Sequence, residues 1–289
     1  MDEREWMADR FEEHRTHLRA VAYRMLGSLS EADDAVQEAW IRLSRADTGD
    51  VENLGGWLTT VVARVSLNML RSRRSHPEQS LDVEASEQVP SETPEIDPEQ
   101  EAVLADSVGL ALLVVLDTLA PAERLAFVLH DMFAVPFDEI APIVGRTPTA
   151  ARQLASRARR RVQGQPAQPD PDSHRQRAVV EAFLAASRGG DFEALVALLD
   201  PDVELHAGAP VSRIIRGAEP VAAQARLFSA RMRFCEVALV NGAPGLIVAP
   251  RGQLLAAVTF TVEDGRIVEM EAFSEPSRLR EVQLAVLGG

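Results

Sequence analysis

Six arginines and no acid occupy residues 141–168: Arg146, Arg152, Arg157, Arg159, Arg160 and Arg161. The whole chain carries a formal net charge of −14, so a basic island needs a reason. Guanidinium groups in a helical row suit phosphate and base edges, because their planar fork pairs bidentately with both. The residues around them supply a scaffold. Phe137 to Ala141 starts a short helix, Gly145 ends it in a tight turn, and Thr147 caps a second helix with Pro148 at its first position. Helix, glycine turn and arginine-rich helix read as a helix-turn-helix whose second member enters a DNA major groove. In its N-terminal half Arg152 and Gln153 are the candidates for base edges, since arginine pairs with guanine and glutamine with adenine, and Thr149 and Ser156 complete the expected DNA-binding set. Arg157, Arg159, Arg160 and Arg161 are better suited to phosphates, which position without specifying. A solvated arginine face is the bland alternative.

A second row of polar and basic residues, Arg64, Asn68, Arg71, Arg73 and Arg74, lies on a helix expected over residues 57–74. It could flank one strand of opened DNA, with extruded bases received by a polar, partly aromatic pocket. Trp57 reads as core rather than as a stacking platform. A third cluster, Asp33, Asp34, Gln37 and Glu38, follows Ser30 at a helix start. Acids there compensate the helix dipole, yet the four cannot all be buried. His14 and His17 are three apart with no third ligand in view and read as solvated. No metal, no Gly-rich phosphate loop and no cofactor are expected.

These elements must be positioned by cores, and the composition allows them. The 289 residues are 46% hydrophobic, enough for two or three domains. One cysteine, Cys235, implies neither a disulfide framework nor a cysteine zinc site. The charged first residues do not resemble a signal peptide. The longest apolar stretch, residues 103–120, holds Asp106 and Asp117 and is too short and polar to span a bilayer. A soluble, cytoplasmic protein is expected. All 30 basic residues are arginine, which fits either a GC-rich genome or a preference for bidentate phosphate contact.

Charge also marks the linkers. Residues 78–106 hold ten acids and no arginine, and the proline-rich stretch 77–101 is too polar to fold alone. Like charge repels it from DNA. Residues 164–173 hold three prolines and form a second linker. Before the first linker, helices are expected over residues 17–26 and from Ser30, burying Leu18, Val21, Met25, Val36, Trp40 and Leu43. Between the linkers, helices over 103–119 and 121–132 precede the helix-turn-helix. Its last helix turns Ala151, Leu154, Ala155, Ala158 and Val162 inward. After the second linker the period changes: two helices (175–187 and 192–199) are followed by strands over 203–207, 236–240, 245–249, 254–262 and 266–273. Asn241-Gly242 and Asp264-Gly265 are the hairpin turns. This is an α+β domain. On the first strand Glu204 and His206 share a face, which suits either a pocket acid or a solvated surface.

Three segments resemble a known family in the right order. HLRAVAYRMLGSLSEADDAVQEAWIRL (17–43) is similar to sigma domain two of bacterial extracytoplasmic-function sigma factors. GGWLTTVVARVSLNMLRSRRS (55–75) resembles their −10 reading helix. LAPAERLAFVLHDMFAVPFDEIAPIVGRTPTAARQLASRARRRV (119–162) resembles sigma domain four, the −35 reader. The tail resembles a SnoaL-like, cone-shaped domain, which makes the whole similar to the sigma-J-like subgroup. The subgroup's linker, glycine loop and terminal motifs are altered here, as at Asn241 to Gly245 and Glu275 to Leu279.

The resemblance implies two all-α sigma domains followed by an α+β SnoaL-like domain. It implies domain two over 1–76, a linker over 77–101, domain four over 102–163, a linker over 164–173 and the SnoaL-like domain over 174–289. Core RNA polymerase and promoter DNA are the implied partners, with no membrane. Asp34, Gln37 and Glu38 would face polymerase, and the loop 47–53 would help form the −10 pocket. The acidic linker would lie against basic polymerase surface. The tail would regulate by touching the sigma domains or polymerase, and ligand sensing in its cone stays open. The rival readings are a helix-turn-helix regulator acting alone and a SnoaL-like enzyme with a DNA-binding appendage. The few arginines predict modest DNA affinity for the free chain, because phosphate neutralisation supplies most nonspecific binding.

Overall fold

The computed structural model describes residues 3–46, 51, 53–75, 109–164, 171–208 and 213–287. The acidic linker, most of the second linker and most of the loop 47–53 lie outside the described residues. So do residues 103–108 of the helix expected to begin at 103.

Three helices open the chain: α1 (Glu3–Leu26), α2 (Leu29–Leu43) and α3 (Leu54–Ser75). The expected apolar faces are buried. Leu18, Val21, Met25, Val36 and Leu43 are at most 1% exposed, while Trp40 is only half-buried and meets the Phe11 ring at a tilt of 59°. Two helix starts differ from expectation. Ser28, not Ser30, is the extended residue before α2, because buried Leu29 already belongs to the helix. The Ser28 hydroxyl meets that of Ser30 at 3.0 Å. In α3 the helix begins three residues before Trp57 and takes both glycines inside. Asn53 makes this work: its Oδ1 accepts from Gly56 N at 2.9 Å, satisfying an orphan first-turn donor.

The middle of the chain forms α4 (Leu110–Thr118), α5 (Pro121–Phe127) running into a π turn (Val128–Met132), α6 (Phe137–Val144) and α7 (Pro148–Gln163). Gly145 ends α6 at φ 68°, a left-handed value that favours glycine. Thr147 Oγ1 accepts from Ala150 N at 3.3 Å, as the capping residue should. Ala151, Ala155 and Ala158 are fully buried and Val162 nearly so. Leu154 is partly buried.

The remainder is α8 (Pro171–Gly189), α9 (Phe192–Leu198), β1 (Leu199–Ala207), β2 (Arg213–Arg216), α10 (Ala218–Leu227), a 3-10 segment (Ser229–Phe234), β3 (Cys235–Val240), β4 (Ala243–Val248), β5 (Ala256–Glu263), β6 (Arg266–Phe273), α11 (Pro276–Leu279) and β7 (Leu284–Ala285). The sheet order is β2-β1-β6-β5-β4-β3-β7, with β1 and β6 parallel and the other pairs antiparallel. This is the expected α+β architecture. Both hairpin turns carry positive φ at two residues, Asn241 (54°) with Gly242 (87°) and Asp264 (50°) with Gly265 (80°). One face of the sheet packs Val203, Leu205, Phe260 and Met270 against Val180, Phe183 and Val221 from the helices. Cys235 lies in that core, and burial pushes its thiol up to about 11, away from thiolate chemistry.

The described residues divide into two units. One holds those of Met1–Val108 and Leu119–Arg159; the other holds those of Gly109–Thr118 and Arg160–Gly289. In the second unit α4 packs on β3, β7 and the 3-10 turn Pro250–Gly252. Helix α4 is apolar on nearly every side, and Ala111, Leu113, Val114, Val115 and Leu116 are buried. The sheet face turned away from the main core buries Ala238, Ile247 and Ala257 completely. On that same face Glu236 accepts from Ala111 N at 2.6 Å. A carboxylate from a distant strand thus serves α4 as a cap and meets the positive end of its dipole. At the other end of this segment Val286 N donates to Val162 O at 2.8 Å.

Candidate nucleic-acid interface

Helical spacing sorts α7 into two faces. Thr149, Arg152, Gln153, Ser156, Arg157 and Arg160 are all exposed. Their offsets of three and four residues place them in one stripe. The buried alanines form the opposite stripe. Over 16 residues α7 is about 24 Å long, enough to cross a major groove.

Within the stripe the arginines differ. The Arg152 guanidinium lies 5.3 Å from the centre of the Phe137 ring. Arg157 Nε sits 3.2 Å from Glu123 Oε1. Off the stripe, Arg159 is half-exposed and its Nε donates to Asp131 Oδ1 at 2.8 Å. Arg159, expected to hold phosphate, thus also ties α7 to the π turn. The sequence hid this pairing, because 28 residues separate the two partners.

On α3, Arg64, Asn68 and Arg71 are exposed and share one face. The adjacent arginines turn elsewhere. Arg73 Nε donates to Glu31 Oε1 at 3.0 Å. Arg74 Nη2 donates to the Leu119 carbonyl at 2.7 Å. The five expected −10 residues thus form an open set of three and an internally bonded set of two. Trp57 is half-buried. The expected base pocket rests on the loop 47–53, most of which is outside the described residues.

On α2, Asp34 and Gln37 are exposed, and Glu38 Oε1 accepts from Arg42 Nε at 2.8 Å. Asp33 is engaged by Arg19 at 2.7 Å. Asp34, Gln37 and Glu38 lie along one face, at offsets of three and four residues.

Among the described residues no group of three or more His, Cys, Asp or Glu side chains could hold a metal ion, and His14 and His17 have another setting. They line a cavity of about 420 Å³ with Gly55, Thr60, Phe133 and Glu139. The Thr59 hydroxyl donates to the Gly55 carbonyl at 2.8 Å. It therefore accepts from His17 Nε2 at 3.2 Å, which places the neutral imidazole's proton on Nε2. Loss of water lowers the His17 pKa, with His14 and Arg24 adding to the effect. The unfolded chain then binds this proton more readily than the folded one, so stability falls as pH drops through the ordinary histidine value near ~6.5. Thermal melts at pH 7.5 and 5.5 should show a smaller acid-induced drop for His17→Gln than for the parent. Equal drops would refute a contribution from His17.

Glu204 and His206 lie on the sheet face away from the domain's apolar core. Arg216 Nε donates to Glu204 Oε1 at 2.7 Å, and His206 Nε2 is 3.2 Å from Glu204 and 3.5 Å from Glu269. The hydrogen bond from Arg216 lowers the Glu204 pKa, which is the reverse of what a pocket acid needs. Of the two readings of this pair, the surface one fits.

Comparison with known proteins agrees with the family resemblance of the two helical segments. Residues 10–76 match the model of sigma-70 region 2, and residues 109–162 match that of sigma-70 region 4. Both conserved regions of a sigma-70 type transcription factor are present in one chain. The chain is 38% identical over 293 residues to the ECF RNA polymerase sigma factor SigJ of Mycobacterium tuberculosis, covering 93% of this chain and 91% of that one. It is 33% identical over 277 residues to the probable ECF RNA polymerase sigma factor SigI of the same species, covering 96% of each. The chain belongs to the extracytoplasmic-function sigma factors: it is a transcription initiation factor, not an enzyme. The crystal structure of M. tuberculosis SigJ aligns over 94% of this chain and 98% of its own at 32% identity, with a TM-score of 0.46. Among the described residues no helix is long and apolar enough to cross a membrane.

Proposed function

We propose that α7 reads the −35 element and α3 engages the −10 strand while α2 docks on core RNA polymerase. The uninterrupted exposed stripe of Thr149, Arg152, Gln153, Ser156, Arg157 and Arg160, backed by buried alanines, carries this reading. Arg152 and Gln153 take base edges; Arg157 and Arg160 take phosphates. Binding at Arg157 competes with its ion pair to Glu123. On α3 the open set Arg64, Asn68 and Arg71 makes the first −10 contacts, and Arg73 and Arg74 join once their internal bonds are given up. Asp34, Gln37 and Glu38 form the polymerase surface. The functional segments are domain two (1–76), the acidic linker (77–101), domain four (102–163), a short linker (164–173) and the SnoaL-like domain (174–289). The SnoaL-like domain regulates by holding region four at both ends, a reading supported by the Glu236–Ala111 and Val286–Val162 hydrogen bonds.

Run-off transcription with purified core polymerase tests the whole. The full chain should give promoter-specific transcripts with core enzyme and bind DNA weakly without it. Tight, specific binding by the free chain and no polymerase-dependent transcript would overturn the assignment. Within that assay Arg152→Ala should relax −35 preference by about 1–3 kcal/mol at one base pair. Arg157→Ala should instead weaken all sequences alike and lower the salt slope by about one. An Arg152→Ala variant that behaves only as a phosphate mutant would reverse the sorting.

A further inference from the structure

Phe137 opens α6 and is half-buried. Two side chains lie against its ring. On one side the His130 ring lies 3.8 Å away, centre to centre, at an interplanar angle of 30°. On another the Arg152 guanidinium carbon stands 5.3 Å from the ring centre. His130 is itself fixed, because its Nδ1 lies 3.1 Å from the Val135 carbonyl. The segment that brings these groups together is held by Val135 N donating to Leu129 O at 2.9 Å. Ala134 adopts a left-handed φ of 54° there, a conformation an alanine takes only when its surroundings impose it. The π turn Val128–Met132 that precedes it places His130 under Phe137.

We propose that Phe137 is a positioning residue for base readout, presenting the Arg152 guanidinium to the DNA from an aromatic stack anchored by His130. The inference rests on the assignment of Arg152 to a base edge. Arginine carries much rotamer freedom, and an exposed guanidinium must lose it to form two parallel hydrogen bonds with one base. A guanidinium resting on a ring face keeps its N–H edge free while its plane is held. The stack thus removes part of the ordering cost before DNA arrives. No residue of this stack other than Arg152 needs to touch DNA.

Holoenzyme reconstituted from the full chain would be offered duplexes with a randomised −35 segment, and the bound fraction sequenced. Arg152→Ala should flatten preference at one position. Phe137→Leu, which keeps apolar volume but no ring face, should weaken preference at that same position by about threefold, the size of an exposed cation–π contact. Phe137→Tyr should retain it. Phe137→Leu added to Arg152→Ala should change nothing more, since the two act through one contact. Thermal melts of each variant separate loss of folding from loss of readout. If Arg152→Ala flattens a position and Phe137→Leu leaves that position unchanged, the positioning role fails and the base contact stands. A uniform loss across all sequences for Phe137→Leu, unmatched by Tyr, also overturns it. If Arg152→Ala flattens nothing, the base contact fails and the positioning role with it.

Discussion

Arg124→Ala should lower the melting temperature of the first unit by about 10 °C. Arg124 is only 2% exposed, and its Nε donates to the Arg24 carbonyl at 3.1 Å. That carbonyl belongs to the last turn of α1, where backbone acceptors lack helical partners and the dipole is negative. A hydrogen bond from a charged donor contributes about 1.5–3 kcal/mol. Removing the long side chain also leaves a void, and large-to-small changes in a core cost about 2–5 kcal/mol. The two effects overlap, so a total of about 4 kcal/mol is the expected loss. For a unit of this size each kcal/mol moves the midpoint by about 2–4 °C. Trp6, Trp40 and Trp57 all fall in this unit, so tryptophan fluorescence during heating reports it alone. Arg124→Met should retain packing and lose less. A shift below about 2 °C for alanine would mean that the buried guanidinium contributes nothing net.

Truncation after Gly164 should convert the protein into a self-associating species. The helix α4 would lose β3, β7 and the carboxylate of Glu236 together. Leu113, Val114, Val115 and Leu116 are buried now, and each such side chain contributes about 1.5–3 kcal/mol when covered. Exposed contiguous apolar surface of this kind drives association. Light scattering should rise with concentration, and binding of a hydrophobic dye should exceed that of the full chain. Glu236→Ala should be far milder, about 1 kcal/mol, because it removes a cap and leaves the packing. A truncated chain that is monomeric and dye-silent would show that α4 finds other cover.

Much of this was legible from local pattern. The helix-turn-helix followed from Gly145, Thr147 and Pro148, and the stripe on α7 from its alanine spacing. The strands and both hairpin turns followed from alternation and from Asn241-Gly242 and Asp264-Gly265. Elements whose stability comes from distant partners were not legible. The short strands β2 and β7 carry almost no periodicity of their own and exist because β1 and β3 pair with them. The start of α3 depends on Asn53 more than on Trp57. The internal partners of Arg73, Arg74, Arg157 and Arg159 lie between 28 and 45 residues away in sequence, beyond the reach of spacing arguments. For the same reason a list of arginines could not separate those held by acids and carbonyls from those facing water.

The helix α4 falls inside the segment matched to sigma-70 region 4, yet it is folded onto the sheet of another domain. Such sharing gives the fusion a ratchet. A descendant gene that lost the tail would inherit a helix that is apolar on nearly every side. It would need several simultaneous replacements among Leu113, Val114, Val115 and Leu116 before region four could stand in water again. Each single replacement made earlier, with the tail still present, would weaken the intact protein. Loss of the tail is therefore hard to reach by single steps.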